Sequence, residues 1–163
     1  MTTECKREKF GFQDLGSRKV EADFGAGNVS SDGGGLLLRE VEAKRKWIEA
    51  AAKCFTDGRD PDLIEHSVSE LSAQMIYGLC LGYEDLNDHD RLCTDPLLAT
   101  LCGKFDPTGN SRRRRNDKGK PLAGKATLNR LQLGTELDDR YKRIVCDEGQ
   151  MADLFVRQFI NRP

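Results

Sequence analysis

Ser67-Val68-Ser69-Glu70-Leu71-Ser72-Ala73-Gln74-Met75-Ile76-Tyr77-Gly78-Leu79-Cys80 is the stretch on which the fold turns. Ser67 and Glu70 stand in the S-x-x-E relation of a capping box, in which each side chain satisfies the other residue's backbone N–H at a helix start. Ile64, Val68, Leu71, Met75 and Leu79 then recur at i, i+4, i+7, i+11 and i+15, the spacing of one apolar helix face. Such a stripe is a core face, not a cofactor box, and Gly82 is placed to end the helix. Asp60-Pro61 offers an alternative start one and a half turns earlier.

Working outward, Ser31 and Asp32 can cap an upstream helix whose apolar positions Leu37, Val41, Ile48, Ala52 and Phe55 predict a run to about Cys54. Its other face, with Arg39, Glu42, Lys46 and Glu49, reads as solvent-facing. Val20, Ala22 and Phe24 alternate weakly and allow one short strand before the turn-rich stretch from Gly25 to Gly35. Downstream, Asp95-Pro96 starts a short helix reaching about Gly103. Leu128, Leu131 and Leu133 suggest another, and Val145 to Ile160 a last one with Met151, Leu154, Phe155, Val156 and Phe159 apolar. The expected fold class is all-α, with at most one short N-terminal strand. The expected divisions are an extended arm at 1–30, a helical core at 31–103, a basic exposed loop at 104–121 and C-terminal helices at 122–163.

With 163 residues, 37% hydrophobic and 33% charged, the chain can bury one core and falls outside the composition of disordered segments. Its formal net charge of −1 argues against a nucleic-acid binder until the distribution is read. Between Lys104 and Arg130, nine basic residues stand against Asp106 and Asp117, a local charge of +7 that leaves −8 for the rest. Cys5, Cys54, Cys80, Cys93, Cys102 and Cys146 form no CxxC pair, so reduced, mostly buried thiols are the reading. The first residues, MTTECKREKFGF, lack the apolar core of a signal peptide, and no apolar run reaches membrane-spanning length. A cytoplasmic protein without membrane contact is expected.

Three groups invite a chemical reading. Glu84, Asp85, Asp88, His89 and Asp90 have the composition of a hard-metal site, but the EF-hand spacing and its glycine are missing, and caps and turn bonds account for them better. His66 and His89 have the chemistry of general bases, yet neither comes with a nucleophile. Gly33-Gly34-Gly35 lacks the GxxxxGK[ST] pattern of a phosphate loop and reads as a helix entrance. No metal or catalytic residue is assigned. The basic run is the stronger candidate. Arg112, Arg113, Arg114, Arg115, Lys118 and Lys120 lead into Lys125, Thr127, Asn129 and Arg130. Cationic side chains neutralise phosphates, while Asn and Arg near a helix start suit adenine and guanine edges. The alternative is a merely solvated arginine run.

In order, Ser31-Asp32-Gly33-Gly34-Gly35-Leu36-Leu37-Leu38-Arg39-Glu40, Asp60-Pro61 with Ile64-Glu65-His66-Ser67, Gly82-Tyr83-Glu84-Asp85-Leu86-Asn87-Asp88-His89-Asp90-Arg91-Leu92 with Asp95-Pro96, and Pro121-Leu122-Ala123-Gly124-Lys125-Ala126-Thr127-Leu128-Asn129-Arg130-Leu131 resemble the amino-terminal region of DDE transposases of bacterial insertion sequences of the 1380 type. GYEDLNDHDRL is the most specific of these motifs. The resemblance implies cut-and-paste transposition by a catalytic core in which three carboxylates hold two divalent metals, usually magnesium. It places the first catalytic aspartate in a D-x-D-x-T-D strand shortly after the last helix, whereas this sequence stops at Asn161-Arg162-Pro163. The implied role is therefore a helical DNA-binding part with helix-turn-helix-like elements, without the catalytic triad and without its own cofactor. Its partners would be double-stranded DNA at the element ends, and itself or full-length transposase. The helix near Gly103 and the one near Lys125 are too far apart for a compact helix-turn-helix. Two other readings stand beside it: a free-standing regulator of transposition, and a metal-dependent hydrolase using Glu84 to Asp90.

Overall fold

A computed structural model of the chain describes residues 8–25, 30–132 and 143–160. Residues 1–7 of the arm with Cys5, residues 26–29 of the turn-rich stretch, Leu133 and residues 161–163 lie outside the described residues. The fold is mixed, which overturns the all-α expectation. Strands β1 (Phe10–Leu15) and β2 (Arg18–Ala22) form an antiparallel hairpin in which Phe12 faces Val20. Helix α1 (Gly35–Arg45) holds this hairpin through Arg39, whose guanidinium donates to the carbonyls of Gln13 and Asp14.

Instead of one long helix to Cys54, α1 stops at Lys46, which takes the left-handed conformation at φ 54°. A short helix α2 (Trp47–Ala52) follows. Glu42 bridges the break by accepting the backbone N–H groups of Trp47 and Ile48, so a residue read as solvent-facing caps the next helix. Phe55, read as part of the helix face, begins strand β3 (Phe55–Asp57). Its partner is β4 (Ile144–Cys146), antiparallel, with Phe55 opposite Cys146 and Asp57 opposite Ile144. The last helix is accordingly shorter than expected: α7 (Glu148–Ile160) starts after the strand. Three-residue strands are too short for alternation to show, and the β-branched pair Ile144-Val145 is the only local hint of one.

Helix α3 (Val68–Cys80) has the predicted capping box: Ser67 Oγ accepts from the Glu70 N–H at 3.2 Å, and Glu70 Oε2 accepts from the Ser67 N–H at 2.9 Å. Asp60-Pro61 starts a single 3₁₀ turn over Pro61–Leu63 and not the helix. Helix α3 is buried on more than its predicted stripe and parts two apolar clusters. On one side Ala73 and Tyr77 pack with Leu36, Ile48 and residues of α4 (His89–Leu92) and α5 (Pro96–Leu101). On the other, Val68 and Leu71 meet Ala123, Leu128, Leu131 and Ile144. Leu79, at the far end of the stripe, is exposed. Asp95 caps α5 as expected, accepting from the N–H groups of Leu97 and Leu98 at 2.7 and 3.0 Å. Among the described residues no helix is long and apolar enough to cross a membrane.

Candidate nucleic-acid interface

The segment between α5 and helix α6 (Lys125–Gln132) carries the positive charge, and it is ordered by its own polar residues. Asp106 accepts from the Thr108 N–H at 3.1 Å, the Thr108 hydroxyl at 2.6 Å and the Ser111 N–H at 2.7 Å. These bonds hold the Asp106 carboxyl well below the usual carboxylate range. Gly109 closes the waist of the loop. Its φ is +70°, and a Cβ there would meet the backbone nitrogens of Pro121 and Lys120 at 2.7 and 2.8 Å. At the loop's start, the Lys104 ammonium pairs with Glu70 at 2.8 Å.

Arg112 turns inward. One guanidinium nitrogen pairs with Glu65 at 2.9 Å, with Asp117 a further 3.8 Å neighbour, and the other donates to His66 Nε2. The Arg112 Nε is buried and has no acceptor among the described residues. His66, 6% exposed, is neutral. Burial, and then the cations Lys104, Arg112 and Arg59, lower its pKa to about 3, so its ring serves as an acceptor and not as a general base. Arg113 donates to the Asp62 carbonyl and ties the loop to the Pro61–Leu63 turn. Arg113, Arg114, Arg115, Lys118 and Lys120 are exposed.

Helix α6 is delivered by a buried amide. Gln74 of α3, 1% exposed, donates to the Ala123 carbonyl at 2.8 Å and accepts the Ala123 N–H at 3.0 Å, as a neighbouring strand would. Its second amide hydrogen is directed at His89 Nδ1, 3.2 Å away. That nitrogen must then be an acceptor, so the network assigns the His89 proton to Nε2. Burial lowers the His89 pKa in the same sense. Its ring lies against Gly78, where a Cβ would come within 2.9 Å of the imidazole.

Beside it, Tyr83, Asp85 and Asp90 hold turns and helix starts. Tyr83 donates to Asp32 at 2.8 Å, which engages the residue expected to cap α1. Asp85 caps a 3₁₀ turn at Leu86–Asp88 by accepting the Asn87 N–H at 2.8 Å. Asp90 Oδ1 accepts the Lys125 N–H at 3.0 Å and so caps α6. The donors of this stretch point to different partners, and no group of three or more metal-ligating side chains converges among the described residues.

Loop and helix enclose a cleft of about 730 Å³. Of the residues expected to bind DNA, Arg112, Arg113, Arg114, Lys120, Thr127 and Arg130 line it. Arg115 lies outside it, on a second hollow that Arg114 also lines. Lys118, Lys125 and Asn129 are exposed but do not line the cleft. On α6, Leu128 and Leu131 are buried, which turns Asn129 and Arg130 outward, Arg130 towards the cleft. Sequence reasoning missed Arg59, Glu65, His66, Asp90 and Asp117 as cleft residues. Glu65, His66 and Asp90 stand in the motifs that carry the family resemblance, but nothing in their spacing placed them beside the basic run. Helix α6 packs on α3, on the Leu86–Asp88 turn and on β4.

Residues 12–163 match the model of a protein family described as Transposase DDE domain group 1. No curated protein and no solved structure matches the chain.

Proposed function

Because the chain belongs to the Transposase DDE domain group 1 family, we propose that it binds double-stranded DNA at the ends of its element, as the amino-terminal recognition part of a transposase of the 1380 type. The observation that carries this reading is the cleft itself. Arg113, Arg114 and Lys120 of the basic loop line it together with Thr127 and Arg130 of α6, within a chain that is otherwise acidic. A cationic rim that fixes phosphates beside a helix that presents Arg and Asn is the division of labour expected of DNA recognition. Arg112 belongs to the scaffold in this reading, and Lys118 and Arg115 extend the rim. The family implies divalent metal chemistry, but the carboxylates of the Glu84–Asp90 stretch do not fit it: Asp85 and Asp90 are engaged as caps. The role of this segment is to bind and orient DNA.

Fluorescence anisotropy over a salt series tests the proposal. Replacing Arg113, Arg114, Arg115 and Lys120 by alanine should weaken binding to all duplexes alike and flatten the plot of log affinity against log salt by roughly 3.6, at about 0.9 per phosphate contact. Arg130→Ala should instead cost about 1–3 kcal/mol of discrimination between sequences. A fourfold variant with unchanged affinity and slope would remove the rim from the interface.

A further inference from the structure

None of the 13 residues of helix α7 is buried. The helix packs on α2, and its least exposed side chains, Met151, Leu154 and Gln158, are only partly covered. Its outer face is the apolar one. Ala152, Phe155, Val156, Phe159 and Ile160 recur at i, i+3, i+4, i+7 and i+8, the spacing of a stripe that soluble helices bury. The four large residues among them are 55% to 70% exposed. At roughly 150–250 Å² for each aromatic side chain, they hold on the order of 500 Å² of apolar surface open to water, the size of a patch that marks an interaction site.

The same helix indicates what covers it. Amphipathic helices that lie on lipid carry a polar face rich in Lys and Arg. The polar face of α7 offers Glu148, Asp153 and Arg157 instead, and no residue of α7 lines the basic cleft. A second α7 fits. In an antiparallel pair with the two-fold axis between Phe155 and Val156, Ala152 of one copy lies level with Phe159 of the other, and Phe155 with Val156, so that smaller residues meet larger ones. Asp153 and Arg157 stand one turn apart on one flank of the stripe, both exposed. The Arg157 Nε donates to the Asp153 carbonyl at 3.2 Å, and neither side chain forms an ion pair among the described residues. The two-fold axis brings Asp153 of each copy beside Arg157 of the other. Covering both stripes removes about 1,000 Å² from water, the least that a specific interface needs. We propose that two copies of this chain associate through the outer face of α7, antiparallel, as a symmetric dimer. The interface uses no residue of the cleft, so it stands or falls separately from DNA binding.

Sedimentation velocity of the 163-residue chain between about 1 and 100 µM reads the association directly. The mass should rise with concentration toward twice the 18.3 kDa of the chain. Phe155→Glu, at an exposed position, should keep the chain monomeric throughout while its circular dichroism stays that of the wild type. Asp153→Arg and Arg157→Asp each set like charges against one another across the axis. Each should weaken the dimer about fivefold at low salt, since symmetry makes the contact twice. Mixed in equal amounts, D153R and R157D should regain the wild-type association, because each chain then offers the charge that the other lacks. An effect confined to one helix would not be rescued by mixing. A wild-type chain still monomeric at about 100 µM would overturn the proposal, and so would a dimer that F155E leaves intact. Charge variants that associate like the wild type, or a mixture no tighter than its components, would equally refute the antiparallel pair.

Discussion

His66 sits at the junction of the basic loop and the turn before α3, and its protonation is opposed from every side. It is buried, accepts from Arg112, and has Lys104 and Arg59 nearby. The folded pKa of about 3 lies far below the 6.5 of an unfolded histidine. Between these values the unfolded chain binds a proton that the folded chain does not, so stability must rise with pH across the window. It is complete above about pH 6.5 and is lost as pH falls toward 3. His89 shifts in the same direction by burial. We predict that urea-denaturation stability falls between pH 6.5 and 5, above the carboxylate range, by at most ~1.4 kcal/mol per pH unit for each histidine. His66→Gln, whose amide oxygen can still accept from Arg112, should show a shallower dependence. An unchanged slope in that variant would place the acid sensitivity elsewhere. The sequence permitted a bland reading of both histidines but not their environment. Gln74 lies 15 residues from His89 and Arg112 lies 46 residues from His66, and contacts of that span leave no periodic trace.

At the scale of elements, the caps were the legible part. Ser67 with Glu70, and Asp95 with Pro96, act within one turn of chain, and both appear as read. The break at Lys46, the 3₁₀ turn at Pro61 and the docking of the basic loop were hidden, because each depends on a partner that sequence spacing does not reveal. The loop is the telling case. An arginine run predicts a solvated rim, yet its first member is a strut. Arg112 and Glu65 are 15% and 21% exposed, so their pairing is closer to a buried ion pair than to a surface one. Its neighbours Arg114 and Arg115 are exposed and form no ion pair among the described residues. Arg112→Ala should therefore destabilise the fold by roughly 3 kcal/mol, the low end for leaving one member of a buried pair alone. Arg114→Ala should stay within about 0.5 kcal/mol, as for an ordinary surface substitution. Equal denaturation midpoints for the two variants would mean that the run is uniform after all.

Over the whole molecule, the placement of helix α6 depends on chain closure across a long separation. Strand β4 meets β3 some ninety residues earlier in sequence, and Ile144 carries that pairing into the cluster that also holds Leu71, Leu128 and Leu131. The β3–β4 ladder, the underside of α6 and one face of α3 thus share a single apolar core. The cleft is the surface consequence of that sharing, since α6 can present Thr127 and Arg130 only while Leu128 and Leu131 stay buried. Ile144 is 2% exposed, so Ile144→Ala leaves a cavity and should cost about 2–5 kcal/mol. If the shared core is one cooperative unit, the loss reaches beyond the strand. Amide hydrogen exchange should then quicken in α6 and β3 together, whereas the β1–β2 hairpin, which packs on α1, should keep its protection. Affinity for duplex DNA should fall with the protection of α6 although Ile144 touches no nucleic acid in the proposed arrangement. Faster exchange confined to residues 144–146 would show that α6 is held by α3 alone, through Gln74 and Leu71, and that the second sheet is an accessory to the site and not part of its foundation.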